Sequence, residues 1–153
     1  MPKRIFVLVL VAALAATLAS AASAIQVRVR IEGATTTLFG AEQPRVTPYT
    51  GTLAQGDVTL ELSQPTALGA LESASRRGEV FYQLLTTSFG PYVAQIGRLA
   101  GAEASGWVYK VNGVSPPVGA DAYVVEEGDV VLWYYATFGP TGGPVPLLSL
   151  IHI

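Results

Sequence analysis

Four aromatic side chains recur at alternate positions of two segments, Trp107 and Tyr109 in the first and Trp133 and Tyr135 in the second. Alternate residues of a β-strand point to the same face, so each pair shares one face of its predicted strand. If the two strands pair, the four rings gather in one patch. Such a patch suits a flat, mostly apolar ligand, because aromatic rings bury much area and keep polar handles. The alternative is that the rings form the core beneath a helix.

A tight turn and a proline-containing loop follow the first aromatic pair. Asn112-Gly113 is a turn dipeptide, because both residues tolerate a positive φ, and a structural role is the favoured interpretation. The segment 114–120 is stiffened by two prolines, and loops on a rigid sheet frequently contribute to binding. The candidate ligand-binding residues are therefore Trp107, Tyr109, Asn112, Gly113, Trp133 and Tyr135.

Three carboxylates within four residues, Glu126, Glu127 and Asp129, raise the question of a Ca²⁺ site or of acid–base catalysis. A Ca²⁺ site needs about 6 to 8 converging oxygens, and the chain has no calcium-loop motif, so a solvated turn is favoured. The sequence has no cysteine, and its single histidine is His152. Nucleophile–base pairs and zinc ligand sets cannot be assembled from these residues. We therefore predict a protein that is not an enzyme and that has no metal and no cofactor of its own.

The N-terminus has the pattern of a secretory signal peptide. Lys3-Arg4 precedes an apolar run at residues 5–14, and Ala22-Ser23-Ala24 matches an A-x-A cleavage site. The apolar run is shorter than the ~20 residues of a spanning helix, which disfavours an uncleaved membrane anchor. We expect residues 1–24 to be a signal peptide, and the protein to be secreted or displayed at the cell surface.

The composition excludes two classes of protein. Nine Lys and Arg residues against eleven Asp and Glu residues give a net charge of -2, so no basic surface is available for nucleic acid. Hydrophobic residues make up 50% of the chain and charged residues 13%, which is too apolar for a disordered chain. The predicted partner is a small molecule or another extracytoplasmic protein segment.

The C-terminal residues are predicted to lie outside the domain. Gly and Pro dominate residues 139–147, which indicates an extended linker. Residues 148–153 match one reading frame of a transposon-end sequencing adapter, so we expect them to be adapter-derived; a natural apolar tail is the alternative. The predicted domain spans residues 25–138, and we expect the natural protein to continue beyond the linker.

The hydrophobic periodicity of this domain predicts several strands and one helix. Residues 67–77 follow Thr66, a suitable N-cap, and carry an apolar stripe, which predicts a helix followed by Gly78 in the left-handed conformation. Residues 51–56 are predicted to be a polar connection. One helix that covers one face of a mixed or antiparallel sheet makes an α+β fold. Strands are predicted at 25–32, 35–39, 44–49, 58–62, 80–86, 92–96, 107–112 and 129–137.

Several motifs, in order along the chain, resemble one known family. The segments are Thr-Ala-Leu-x-Ala-Leu from Thr66, Gly-Trp-Val-Tyr-Lys-Val-Asn-Gly from Gly106, Gly-Ala with a nearby Tyr from Gly119, and Gly-Asp-Val-x-x-Trp-x-Tyr from Gly128. Together they resemble the transcobalamin C-terminal-like domain family, a bacterial DUF4430-like domain of unknown function. The resemblance implies a β-grasp-like fold and an extracytoplasmic setting.

The same resemblance implies a class of function. In vitamin-carrier proteins a related domain closes over cobalamin from one side, whereas many bacterial relatives are modules of surface proteins. The expectation is an exported, non-catalytic binding module, with a cobalamin-like or other small ligand left open. The alternative is a structural or adhesive cell-surface module that has no small-molecule ligand.

Overall fold

The structure, a computed structural model, describes residues 24–139 and the backbone of residues 145–146. The predicted signal peptide up to residue 23, most of the predicted linker and the last six residues lie outside this part of the chain. No helix within it is long and apolar enough to cross a membrane. The elements are β1 Val27–Glu32, β2 Thr37–Phe39, β3 Arg45–Val46, β4 Gly51–Gln55, β5 Val58–Leu62, α1 Ala67–Gly78, β6 Tyr82–Thr87, β7 Gly90–Ile96, β8 Leu99–Ala100, β9 Ser105–Val111, β10 Val130–Thr137 and β11 Val145–Pro146.

Strand β10 is the centre of the largest sheet. It pairs in parallel with β1, from Arg28 opposite Val130 to Glu32 opposite Tyr134, and antiparallel with β9 on its other side. Strands β2 and β3 flank β1, and β11, which falls within the predicted linker, pairs with the end of β10. The prediction that β1, β9 and β10 share one sheet is confirmed, and so is the α+β class. The finer β-grasp assignment stays a prediction.

Two smaller sheets complete the described fold. Strands β6, β7 and β8 form an antiparallel sheet of three, and β4 and β5 form a hairpin. The prediction that residues 51–56 are a connection is wrong for Gly51–Gln55, which form β4. Of these five residues only Leu53 is buried, so the segment has too few apolar side chains to show an alternating pattern.

Helix α1 forms because its cap and its apolar stripe agree. Thr66 Oγ1 accepts a hydrogen bond of 3.1 Å from the backbone N–H of Gly69, which is the predicted N-cap interaction. Leu68, Leu71 and Ala74 are buried, and the helix packs on β1, β3 and β10. The helix therefore covers one face of the largest sheet.

The predicted end of the helix needs a correction. Gly78 is the last helical residue, and Glu79 instead adopts the left-handed conformation, with φ 52° and its N–H bonded to the carbonyl of Ser75. A Cβ atom at position 78 would collide with the ring of Phe39. Gly78 is thus explained by close packing and not by a need for positive φ.

A buried carboxylate ties the helix to the three-stranded sheet. Glu72 accepts hydrogen bonds from the Tyr82 hydroxyl at 2.6 Å and from Arg76 Nε at 2.5 Å. Hydrogen bonding to Glu72 is also the main cause that raises the pKa of Arg76. Because a buried carboxylate is tolerated only when it is paired, this contact fixes where β6 and β7 lie relative to the helix.

We predict that Leu71→Ala lowers the free energy of unfolding by about 2–5 kcal/mol, because it removes a fully buried side chain from beneath the helix. Thermal or denaturant unfolding measures the change. The matched control is Leu85→Ala, an exposed leucine on β6, which should cost about 1 kcal/mol or less. An unchanged melting temperature in Leu71→Ala would show that the helix does not pack as described.

Candidate functional site

The pairing of β9 with β10 brings the four predicted rings together. Trp107 lies opposite Tyr135, and Tyr109 lies opposite Trp133. The rings of Tyr109 and Trp133 stack with centroids 5.3 Å apart, and those of Trp107 and Tyr135 meet edge to face at 5.5 Å. These four residues are called the aromatic row below. The predicted strand pairing and the gathering of the rings are present in the structure.

Most of the aromatic row is packed into the core. Trp107, Trp133 and Tyr135 are 7%, 2% and 6% exposed, and Tyr109 is half-buried. Trp107 Nε1 donates to the carbonyl of Leu99, while Trp133 Nε1 has no hydrogen-bond partner among the described residues. The aromatic row thus stabilises the fold. Tyr109, at its less buried end, is the ring that a ligand can contact.

A cleft of about 370 Å³ opens along this end of the row. Trp107, Tyr109 and Trp133 form one wall, and Tyr135 lies outside it. Residues 91–93 of β7 and Leu68 of the helix also line the cleft. The lining is mostly apolar, and Asp121 is the single charged side chain among the described residues that form it. The shape and chemistry are those of a small-ligand site, which typically measures about 300–1,000 Å³.

The predicted loop after the turn closes one end of the cleft. Ser115, Pro116 and Ala120 line it. The loop is held by the start of the helix, because the N–H groups of Ala67 and Leu68 donate to the carbonyls of Tyr123 and Ala120 at 3.0 and 2.8 Å. These are helix N–H groups that have no partner within the helix itself.

The ring of Tyr109 connects this loop to the aromatic row. Its hydroxyl donates to the carbonyl of Val118 at 2.7 Å, and its ring meets that of Tyr123 at 6.3 Å. Burial, followed by the neighbouring Tyr123 and Asp121, raises the pKa of Tyr109 to about 12. The neutral hydroxyl is therefore the form that the cleft holds.

Asn112 and Gly113 do not line the cleft. Both have positive φ, 50° and 81°, and the flanking Val111 and Val114 exchange two backbone hydrogen bonds, as expected for a tight hairpin turn. The Asn112 amide donates to Asp129 and accepts from the N–H of Val130. The structure thus places these two candidates in the turn, where they stabilise the connection between β9 and β10.

The acidic segment 126–129 also forms a turn. Asp129 Oδ2 accepts from the N–H of Glu126 at 2.8 Å, and Glu126 and Glu127 are exposed. Within residues 24–139 no group of three or more Asp, Glu, His or Cys side chains converges in a way that could hold a metal ion.

Several cleft residues were not among the sequence candidates. The sequence left Phe89, Tyr92 and Tyr134 undecided between the rim of the patch and the opposite face. Tyr92 lines the cleft, Phe89 lies 99% exposed at the tip of the β6–β7 hairpin, and Tyr134 is buried on the opposite face of the largest sheet. The sequence signal for Tyr92 was an aromatic residue at the start of a short predicted strand, but its position beside β9 depends on the tertiary fold.

A comparison with family models gives a match over part of the chain. Residues 65–137 match the model described as domain of unknown function DUF4430. This segment belongs to that family. The match contains the helix, the aromatic row and the loop that closes the cleft, and it confirms the family predicted from the motifs.

The solved structures that match this chain include haptocorrin and a bacterial protein. Haptocorrin in complex with Cbi is 21% identical, with a TM-score of 0.57, over 75% of this chain and 25% of that chain. The chain therefore spans about a quarter of haptocorrin's length, and the similarity shows a shared fold. A proposed metal-binding protein from Ruminococcus gnavus is 13% identical, with a TM-score of 0.46, over 75% of this chain and 99% of that chain. A search of curated proteins gives no match.

The raised pKa of Tyr109 predicts a loss of stability at alkaline pH. Since the folded state favours the neutral hydroxyl, this contribution is complete below about pH 10 and is lost as the pH rises through about 12. We expect Tyr109→Phe to unfold with a shallower pH dependence than wild type over this interval, measured by denaturant unfolding. Burial also raises the pKa values of Tyr82 and Tyr134, so part of the pH dependence of unfolding remains in Tyr109→Phe. Identical slopes in the two proteins would contradict the described environment of Tyr109.

Proposed function

We propose that the protein is an exported, non-catalytic binding module whose cleft takes a small, flat, largely apolar ligand. The observation that carries the proposal is the cleft itself, about 370 Å³ in volume and walled by Trp107, Tyr109 and Trp133. Large rings already held by the fold lose little entropy when they contact a ligand. The ligand-binding residues proposed from the structure are these three and Tyr92.

A cobalamin-like compound is the first ligand to test. Haptocorrin, which has a similar fold over this region, was solved in complex with Cbi. Because the chain spans about a quarter of haptocorrin, any such ligand would be bound by this domain over part of its surface, and another protein segment would supply further contacts. Both a small molecule and an extracytoplasmic protein segment therefore belong to the proposal.

The lining of the cleft supports a binding function without catalysis. Among the described residues that line it there is one carboxylate, Asp121, and no histidine, so a nucleophile with its base is not available there. The N-terminal pattern of residues 1–24 supports export, with the domain beginning at residue 25. We place the protein in the secreted or cell-surface fraction.

One observation favours the alternative of a structural or adhesive module. Three of the four rings in the aromatic row are more than nine-tenths buried, which is typical of a scaffold. The two functions make different predictions for the removal of the half-buried ring of Tyr109. A ligand site needs this ring at its surface, whereas a scaffold tolerates its removal with only a loss of stability.

The test is a fluorescence titration with cobalamin and related corrinoids, which reports on both tryptophans beside the cleft. Free tryptophan under the same conditions corrects for absorption by the corrinoid. We expect saturable quenching, and a dissociation constant at least about tenfold weaker in Tyr109→Ala, which corresponds to the loss of about 1.4 kcal/mol of binding free energy. Phe81→Ala, an exposed ring outside the cleft, is the matched control and should bind as wild type does.

Quenching that does not saturate up to millimolar ligand would exclude corrinoids. Equal affinity in wild type and Tyr109→Ala would exclude the cleft as the site of any binding that is seen. Circular dichroism of each variant establishes that it is folded before the titration is interpreted.

A further inference from the structure

Among the described residues, strand β9 has one paired edge and one open edge. In an antiparallel pair, alternate residues direct their backbone N–H and C=O groups toward the partner strand. The N–H of Asn112 donates to the carbonyl of Val130, so the residues two and four positions before it, Lys110 and Val108, also face β10. The backbone groups of Trp107 and Tyr109 therefore face away from β10.

The backbone groups at both ends of the open edge are already hydrogen-bonded. Val111 exchanges hydrogen bonds of 2.9 and 3.0 Å with Val114, and Ser105 exchanges bonds of 3.1 and 2.8 Å with Ala102. Between them, no backbone hydrogen bond from the described residues reaches the outward groups of Trp107 and Tyr109. The open edge thus offers two N–H donors and two C=O acceptors over three residues.

The open edge faces the cleft. The side chain of Val108 packs on the opposite face of the sheet with Tyr134, yet Val108 lines the cleft together with Trp107 and Tyr109. Three consecutive residues of a strand line the same space only when that space lies beside the strand. Pro91, Tyr92 and Val93 are likewise consecutive in β7, so the cleft lies between two strand edges.

We propose that an extended segment of another polypeptide enters this cleft and pairs with Trp107 and Tyr109 as an added strand. Strand addition uses backbone hydrogen bonds for affinity and side-chain pockets for specificity. A recessed edge is less accessible to the flat edge of another sheet than an edge at the surface is, which would protect it from aggregation. The proposal rests on the proposed function in one respect, since it uses the same cleft.

The lining defines the chemistry of the segment. One set of alternate side chains would lie over the apolar aromatic row, and the acidic side chain of Asp121, the one charged group of the lining, would favour a basic residue beside it. The partner is therefore an extended, mainly β-branched or apolar peptide that carries one Lys or Arg near its end.

The test begins with a displayed library of short random peptides selected on the purified protein. We expect enriched peptides to share alternating apolar residues with one basic residue, and to bind in solution. The best of them is then synthesised with N-methyl groups at alternate residues, in two versions that differ by one position. One version should bind at least about tenfold more weakly, because its methyl groups occupy the N–H groups that pair with β9, and the other should bind as the parent does.

The variant Asp121→Asn tests the charge contact, and should weaken binding of the peptide that carries the basic residue more than binding of its neutral analogue. Equal binding of both N-methylated versions and the parent would overturn strand addition. A library that yields no binder, tested beside a protein that binds a corrinoid, would overturn this inference and leave the proposed function standing. Methylation-sensitive peptide binding without corrinoid binding would support strand addition and assign the cleft to a protein partner.

Discussion

The antiparallel pairing of β9 with β10 is the constraint on which the rest of the structure depends. Its register sets Trp107 opposite Tyr135 and Tyr109 opposite Trp133, so the rings share the face that the helix covers. A slip of one residue would move a strand's aromatic side chains to the other face and break the core. The same register decides which backbone groups of β9 remain open. Fold and candidate site therefore follow from one set of hydrogen bonds.

The helix and the segments that are hydrogen-bonded to it form the cleft beside this pair of strands. The first N–H groups of α1 hold the loop that closes one end, through the carbonyls of Tyr123 and Ala120. Glu72 on the same helix accepts a hydrogen bond from the hydroxyl of Tyr82 and so holds the β6–β7 hairpin, whose residues 91–93 also line the cleft. Loss of the helix would thus release two walls of the cleft together, and mutations that destabilise it should also weaken binding.

The parts of the fold that the sequence predicted are those determined by local pattern. Alternating apolar residues predicted β1 and β5, a continuous run of apolar and aromatic residues predicted β10, and the cap at Thr66 with its apolar stripe predicted the helix. Strand β4 was missed because pairing with β5 forms it, with little apolar alternation of its own. The helix end was misplaced because Gly78 is required by packing. A Cβ at this position would collide with the ring of Phe39, which comes from a distant part of the chain.

The candidate site was predictable to a smaller extent. The alternation of the aromatic residues was sufficient to predict that the four rings gather, since this arrangement requires only that the two strands pair. The contributions of Tyr92 and Leu68 could not be predicted, because they depend on how a hairpin and a helix pack beside β9. Asn112 was proposed both as a turn residue and as a ligand contact, and its hydrogen bonds to Asp129 and Val130 place it in the turn.

Among the described residues, the strand that carries Trp107 and Tyr109 has one edge paired to β10 and the other edge open to the cleft. Amide hydrogen exchange of the free protein, resolved residue by residue by NMR, tests it most directly. The account predicts alternation along β9, with slow exchange at Val108 and Lys110, whose N–H groups bond to β10, and markedly faster exchange at Trp107 and Tyr109. Equally slow exchange at all four amides would contradict the account, because it would mean that the outer edge is already paired.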